Sequence, residues 1–318
     1  MDMFVNFIVA AVLAGAPLLF GTLGEIINEK AGHLNLGVEG MMAVGACAGF
    51  MAGYRTDSLV IALIAAFLAG AASALIYALL TVTFMADQNV TGLTLTIFGC
   101  GLSNFIGEYN ISRSETGNLK LPENITSQIR NIGIPFLRDI PVIGKLLFSY
   151  NVFVYLGVIL AVIVFIYLNK TKSGLNLRTI GENPAAADAV GIHVTRNKYI
   201  ALLTGGGICG IGGAYCSMII CGGVWMSDSV NGLGWIAVAL VIFAAWSPLK
   251  AIGGSLIFGA FSVLKYYMPK SVITLPNAFY DMLPFLITAL ILIITSVKKN
   301  KGRAQPASCG VNYFREER

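Results

Sequence analysis

The sequence predicts an all-α fold, a polytopic bundle of transmembrane helices, and three observations predict it. Only 12% of the 318 residues are charged and 56% are hydrophobic, where a soluble domain carries about 25% charged residues. The mean hydropathy is +0.77. The charges are also clumped: 29 consecutive residues between Asp57 and Asp87 carry none, and neither do the 29 between Lys198 and Asp228. A bilayer core of about 30 Å takes roughly 20 apolar residues of helix, and both stretches exceed that. Soluble enzymes and nucleic-acid binders need a polar skin that this chain lacks.

Nine apolar segments follow one another. Residues 3–27 begin after Met1 and Asp2 with no positive n-region, so they read as a retained span and not a cleaved signal. Residues 35–54 place Gly45, Gly49 and Gly53 on one helical face, the device by which helices pack closely in lipid. Residues 58–85 are the first uncharged run. Residues 90–107 are short for a span, as are 233–247 and 251–268; such segments mark broken or re-entrant helices near a transporter's solute path. Residues 149–168 come next, then 199–222, the second uncharged run, with Gly206 and Gly210 on one face. The GxGxxG-like stretch from Gly205 to Gly213 lies inside that run and reads as packing. Residues 280–297 close the series, and the short segments leave the count between eight and ten.

These spans make a single transmembrane domain, 1–297, followed by a basic tail, 298–318, with six Lys/Arg. The loop 170–198 carries Lys170, Lys172, Arg178, Arg196 and Lys198. Four crossings between these two basic segments place both on the cytoplasmic side, with the C-terminus there. Residues 108–148 then form an extracytoplasmic lobe. The net charge of +5 reads as membrane orientation and not as a nucleic-acid footprint. The six cysteines form no CxxC pair, so neither a metal site nor a disulfide framework is indicated. No nucleophile–base constellation is visible, and no catalytic residue is assigned.

The segment 181–191 is the most informative. Asn183 suits an N-cap, Pro184 the first helical position and Gly191 a left-handed C-terminal position; Ala185, Ala186 and Ala187 between them favour helix. About two turns result, too short to stand alone in water. The alternative, an amphipathic connector on the bilayer, lacks large apolar residues. A small, flat Ala face suits docking in a groove on a cytoplasmic partner.

The run Arg178-Thr179-Ile180-Gly181-Glu182-Asn183-Pro184-Ala185-Ala186-Ala187 resembles the coupling-helix loop of ABC importer permeases, in the branch serving simple sugars, nucleosides and branched-chain amino acids. The run from Gly32 to Met42 (GHLNLGVEGMM) is similar to the signature after the first span in nucleoside-type permeases. Gly234 to Leu240, followed by Trp246-Ser247-Pro248, resembles the late-span pattern there. The resemblance covers 15–295. It implies one half of a translocation pore in a bacterial cytoplasmic membrane, for nucleosides as the leading reading, coupled through Gly181 to Ala187 to a separate ATPase. The implied partners are that ATPase, a second related permease and a substrate-binding lipoprotein. ATP and Mg would sit on the ATPase, with no cofactor on this chain; it has no G-x-x-x-x-G-K-[ST] run to cradle phosphates. Within the fold, the alternative solute is a simple sugar such as ribose or galactose. Outside it, the alternative is an ATP-independent channel or secondary transporter.

Polar residues inside apolar spans are costly and are candidates for function. Glu25 and Glu29 are spaced i,i+4, as are Asn35 and Glu39, which share one face if helical. Glu39 suits a pathway or gate; it equally suits a structural carboxylate that accepts backbone N–H groups and ties two helices. His33 alone is weak. Asn89, Thr91, Thr94 and Asn104 in the fourth segment, and Asn231 with Trp235 at the seventh, offer the amides, hydroxyls and aromatic face that a neutral nucleoside needs.

Overall fold

The computed structural model describes residues 2–114, 117–130, 143–267, 276–297 and 305–314. All six cations of the basic tail, and Glu115 and Asp139 of the lobe, lie outside the described residues. The described chain is helical throughout. In order come α1 (Asp2–Lys30), α2 (Val38–Thr56), α3 (Leu59–Ala78), α4 (Gln88–Ser112), α5 (Glu123–Ile129), α6 (Ile143–Leu147) and α7 (Val152–Lys170). There follow α8 (Lys172–Glu182), α9 (Pro184–Ala189), α10 (Val194–Tyr215), α11 (Leu233–Phe243), α12 (Pro248–Tyr267) and α13 (Asn277–Val297). π-turns at Leu79–Thr83 and Cys216–Ile220 prolong α3 and α10. One isolated bridge, Lys120 with Val224, is the extent of β-structure among the described residues.

Among the described residues, six helices are long and apolar enough to cross a membrane: α1, α3, α4, α7, α10 and α12. Side-chain caps set several starts. Ser58 accepts from the Ile61 N–H, Asp87 from Val90, Asn151 from Val154, Thr171 from Gly174 and Asn183 from Ala186, satisfying donors that have no intrahelical partner.

At the centre α2 packs between α3, α4 and α10, while α1 packs on α10 and α12. The α2 glycines meet α10 as their spacing predicts. A Cβ at Gly45 would run into the Gly210 backbone, and one at Gly210 into the Ala66 backbone of α3. The outer faces of α3 and α7 expose Val60, Ile64, Leu68, Ile159, Ile163 and Ile166, as helices that face lipid should.

The bundle has two distinct ends. At one, Arg55 bonds Asn110, Asn124 bonds the Asp57 carbonyl, and Trp225 and Leu121 pair with Leu119 and Gly223; this is the lobe end. At the other, Thr83 meets Tyr199, Gly181 abuts the Lys30 carbonyl, and the segment 305–314 lies across both; this is the lever end. The described parts of 108–148 and of 170–198 therefore occupy opposite ends.

Two helices start inside the bundle. Gly40 near the start of α2 abuts Leu95 and Gly99 of α4, roughly 10 Å along α4 from its lever end at 1.5 Å per residue. The start of α11 touches α2 at that level, because Gly232 and Gly234 bind Glu39. The far end of α11 reaches the lever end, where the Trp246 indole N–H donates to Glu29 of α1. So α11 has only 11 residues because the preceding segment, 221–232, has already descended from the lobe end. The turn into α12 carries left-handed Ala245 and Trp246 (φ 48° and 53°).

Candidate functional site

The site is built around Glu39, in the first turn of α2. One carboxylate oxygen accepts the Gly232 N–H at 2.7 Å and the other accepts the Gly234 N–H at 2.6 Å. The Trp235 N–H adds to them. These are the leading N–H groups of α11, which lack intrahelical partners and form the positive end of its dipole. Glu39 is thus a cap supplied to α11 by another helix. Close approach is required, and Gly234 permits it: a Cβ there would press on the Glu39 backbone.

Beside this cap lies a cavity of about 230 Å³ whose walls include Glu39, Ser103, Asn104, Asp228, Ser229 and Asn231. Asn104 and Asp228 bind reciprocally across it. The amide donates to the carboxylate at 2.8 Å and the Asp228 N–H donates back to the amide oxygen at 3.0 Å. One residue earlier, the Ser227 hydroxyl donates to Glu108 at 2.6 Å. The lobe-end half of α4 therefore latches the descending segment. That segment turns sharply, with Asp228, Asn231 and Gly232 at φ of 54°, 47° and 84°; Asp, Asn and Gly are the residues that tolerate this region. Its far side walls a second cavity of about 690 Å³ that extends to Tyr266 of α12 and Tyr280 and Phe285 of α13. Residues 228–232 are the partition between the two.

Of the predicted pathway residues, the structure brings Glu39, Asn104 and Asn231 together on one cavity. Trp235 is half-buried and on neither cavity wall. Asn89 and Thr94 are exposed and Thr91 is buried, away from both. Asn35 is fully enclosed: its N–H donates to Glu25 at 2.8 Å and its side-chain oxygen accepts the Gly37 N–H at 2.9 Å. Residues 33–35 are not helical, so the condition for Asn35 and Glu39 sharing a helical face is unmet, and they serve different ends. Thr96 donates to the Leu36 carbonyl at 2.9 Å and props the same loop. His33 in that loop is buried with no partner on either ring nitrogen among the described residues. Burial, helped by the Lys198 cation, holds its pKa well below the usual histidine value. Sequence reasoning passed over Asp228, Ser103 and Ser229. A signal existed: Asp228 is the sole acid between Asp188 and Asp281.

At the lever end the local predictions from 181–191 take shape. The Asn183 side chain accepts the Ala186 N–H at 3.0 Å, Pro184 opens α9, and Gly191 has φ 84°. Gly181 is buried; Glu182, Asn183 and Ala186 are exposed, and Pro184 and Ala185 half-exposed. Ala187 faces inward onto Ile180 and Val194. The outward surface is consequently narrower than the whole Ala run.

The comparisons fit this architecture. The family model described as branched-chain amino acid transport system, permease component, matches residues 7–294. The guanosine ABC transporter permease protein NupQ of Bacillus subtilis is 34% identical, covering 97% of this chain and 96% of its own. The nucleoside ABC transporter permease protein NupC of Lactococcus lactis is 31% identical, covering 96% of each. TsgC13 of Haloferax volcanii, provisionally named a glucose ABC transporter permease protein, is 34% identical over 85% of this chain and 80% of its own. No solved structure matches. With the match running from the start of α1 to the end of α13, the chain belongs to the permease-component family of branched-chain amino acid transport systems, the multi-pass membrane part of ABC transporters.

Proposed function

We propose that this chain forms half of the pore of an ATP-driven nucleoside importer. The observation that carries the solute is the full-length similarity to NupQ and NupC, which are named for guanosine and nucleosides. The cavity chemistry supports it. The Asn104 and Asn231 amides, the Ser103 and Ser229 hydroxyls and the Asp228 carboxylate can accept from ribose hydroxyls and pair with base edges without demanding charge. The similarity to TsgC13 favours a second reading, a hexose, because a polyol meets the same groups.

In this reading the lever end is cytoplasmic, with the C-terminus, and the lobe end faces a substrate-binding protein outside. ATP and Mg sit on a separate ATPase, which pushes on α9; a second permease completes the pore. Solute passes the partition at 228–232 when the Asn104–Asp228 and Ser227–Glu108 latches open. ATP binding must then favour one of two arrangements of this element.

Two measurements test the proposal. Cells with and without the chain are compared for uptake of labelled uridine and adenosine, with unlabelled ribose and glucose as competitors. ATP-dependent nucleoside uptake lost on deletion, and indifferent to both sugars, is expected; loss of glucose uptake alone moves the solute to the hexose. Ala186→Asp puts a charge on the outward face of α9, and uptake should fall about tenfold or more with the chain still inserted. Undiminished uptake in that variant defeats the lever.

A further inference from the structure

Residues 305–314 return to the lever end and lie against the coupling region, a contact that no part of the proposed mechanism uses. Ser308 anchors the segment at the end of α8: its N–H and hydroxyl both donate to the Gly181 carbonyl, at 2.9 and 2.6 Å. The Tyr313 ring packs on the cluster of Ile180, Ala187 and Val194, and its hydroxyl donates to Asp188 of α9 at 3.0 Å. Between those two holds, Asn312 faces away from α9. Its amide donates to the Met85 and Ala86 carbonyls at 2.7 and 3.0 Å and accepts from the Gln88 side chain at 3.1 Å.

These partners stand at the turn joining α3 to α4, just after the π-turn. Met85 there is left-handed, with φ 54°, a disfavoured state for an unbranched side chain of its size. Its carbonyl is turned onto Asn312. Gln88 is buried, and its other amide atom accepts the Leu34 N–H at 2.9 Å. Leu34 lies in the middle of the loop that leads to Glu39, and Tyr77 holds the Leu34 carbonyl at 2.8 Å. The connection therefore runs from Asp188 on α9 by a hydrogen bond to Tyr313, along the chain to Asn312, and by hydrogen bonds through Gln88 to the loop whose next turn caps α11 and walls the cavity.

We infer that the segment 305–314 is a strap that carries displacement of α9 to the α3–α4 turn and the 31–37 loop, with Tyr313 and Asn312 as its positioning residues. The inference rests on α9 being the lever. Its physical basis is that the strap binds two elements at once. If α9 shifts and the α3–α4 turn does not, a partly buried amide or carbonyl loses its partner, which is costly away from water. The elements then move together. Sequence distance hides this: the strap meets its partners across about 125 residues on one side and more than 220 on the other.

The test uses the assembled transporter, purified with its ATPase. Uptake is read on whichever of labelled uridine or glucose the wild type accumulates. Asn312→Ala should cut uptake, and stimulation of ATP hydrolysis by solute-loaded binding protein, about tenfold while the ATPase still co-purifies in full. Tyr313→Phe keeps the packed ring and loses only the hydroxyl; a reduction of about two- to fivefold is expected, and this variant decides the matter if Asn312→Ala fails to accumulate. Gln88→Ala combined with Asn312→Ala should be no worse than Asn312→Ala alone, since one linkage is broken once. Unchanged uptake in both strap variants overturns the inference, as does additivity of the pair. Loss of the ATPase from the complex overturns it in favour of a docking role. Failure of the lever shows separately, as intact uptake in Ala186→Asp.

Discussion

Two seams run along α2, and they are made differently. Against α10 the helix presents Gly45 and Gly49, and the backbones approach until a single methyl group would collide. Against the descending segment and the start of α11 it presents Glu39, with Asn104 and Glu108 of the adjoining α4 extending the seam, which consists of side-chain hydrogen bonds: Glu39 to Gly232 and Gly234, Asn104 to Asp228, Glu108 to Ser227. Neither Gly45 nor Gly49 lines either of the two cavities. The second seam walls a cavity of about 230 Å³. A backbone seam has one arrangement and moves only as a body, because close-packed interiors do not deform gradually. A hydrogen-bonded seam beside water opens at a smaller cost, since water replaces each partner as it leaves. On the function proposed above, opening belongs to the second seam, while α2, α3 and α10 travel as one piece.

The sharpest way to break that contrast is to put a side chain into the first seam. Gly45→Leu drives four carbons into the Gly210 backbone of α10. Overpacking of this kind costs about 3 kcal/mol or more where backbone cannot retreat. The variant should lose its monodisperse peak on size exclusion after detergent extraction. Gly101→Ala, on the neighbouring α4 with nothing within 4 Å of its Cβ, should keep that peak. Equal behaviour of the two would mean that the seam is softer than its geometry.

Glu39→Gln asks whether the second seam also carries stability. The amide keeps one acceptor but turns an NH₂ toward a backbone N–H donor, so one charge-assisted bond is replaced by a clash of donors. About 2 kcal/mol is expected, a fall in Tm of roughly 4–8 °C, with reduced uptake. An unchanged Tm would show that the cap is made only in another conformation.

Much of this was legible in the sequence because it is local. Each of the nine apolar segments became a helix, α9 took the cap, proline and glycine that its residues announce, and the glycine spacing on α2 met a backbone partner. Where α11 would begin was also marked by its shortness. Legibility stops where geometry depends on contacts distant in the chain. Asn35 and Glu39 looked alike as polar residues four apart, yet the loop at 33–35 turns one into the protein and the other onto α11. Asp228 carried a signal in its isolation, but its partner Asn104 lies 124 residues away. The strap is the extreme case: neither Asn312 nor Tyr313 has a neighbour in sequence that hints at Met85 or Asp188.

The finest distinction between the seams comes from Asn104→Ala. Asn104 and Asp228 are near the cavity mouth, where Asp228 is exposed, so removing their two bonds should change stability by no more than about 0.5 kcal/mol. If the pair is a latch that solute must displace, its loss removes a competitor for the same carboxylate and an amide that would contact the solute. These act oppositely, and the kinetics separate them. Loss of a latch alone raises the maximal rate of uptake about two- to threefold with KM unchanged; loss of a solute contact raises KM by about the same factor, the worth of one hydrogen bond near 0.5–1 kcal/mol. We expect KM to rise, because the amide has donors and an acceptor that a ribose or base edge can use, whereas the latch is backed by Ser227–Glu108. A faster maximal rate at constant KM would make the second seam a gate without specificity, and the solute would then be chosen elsewhere on its path.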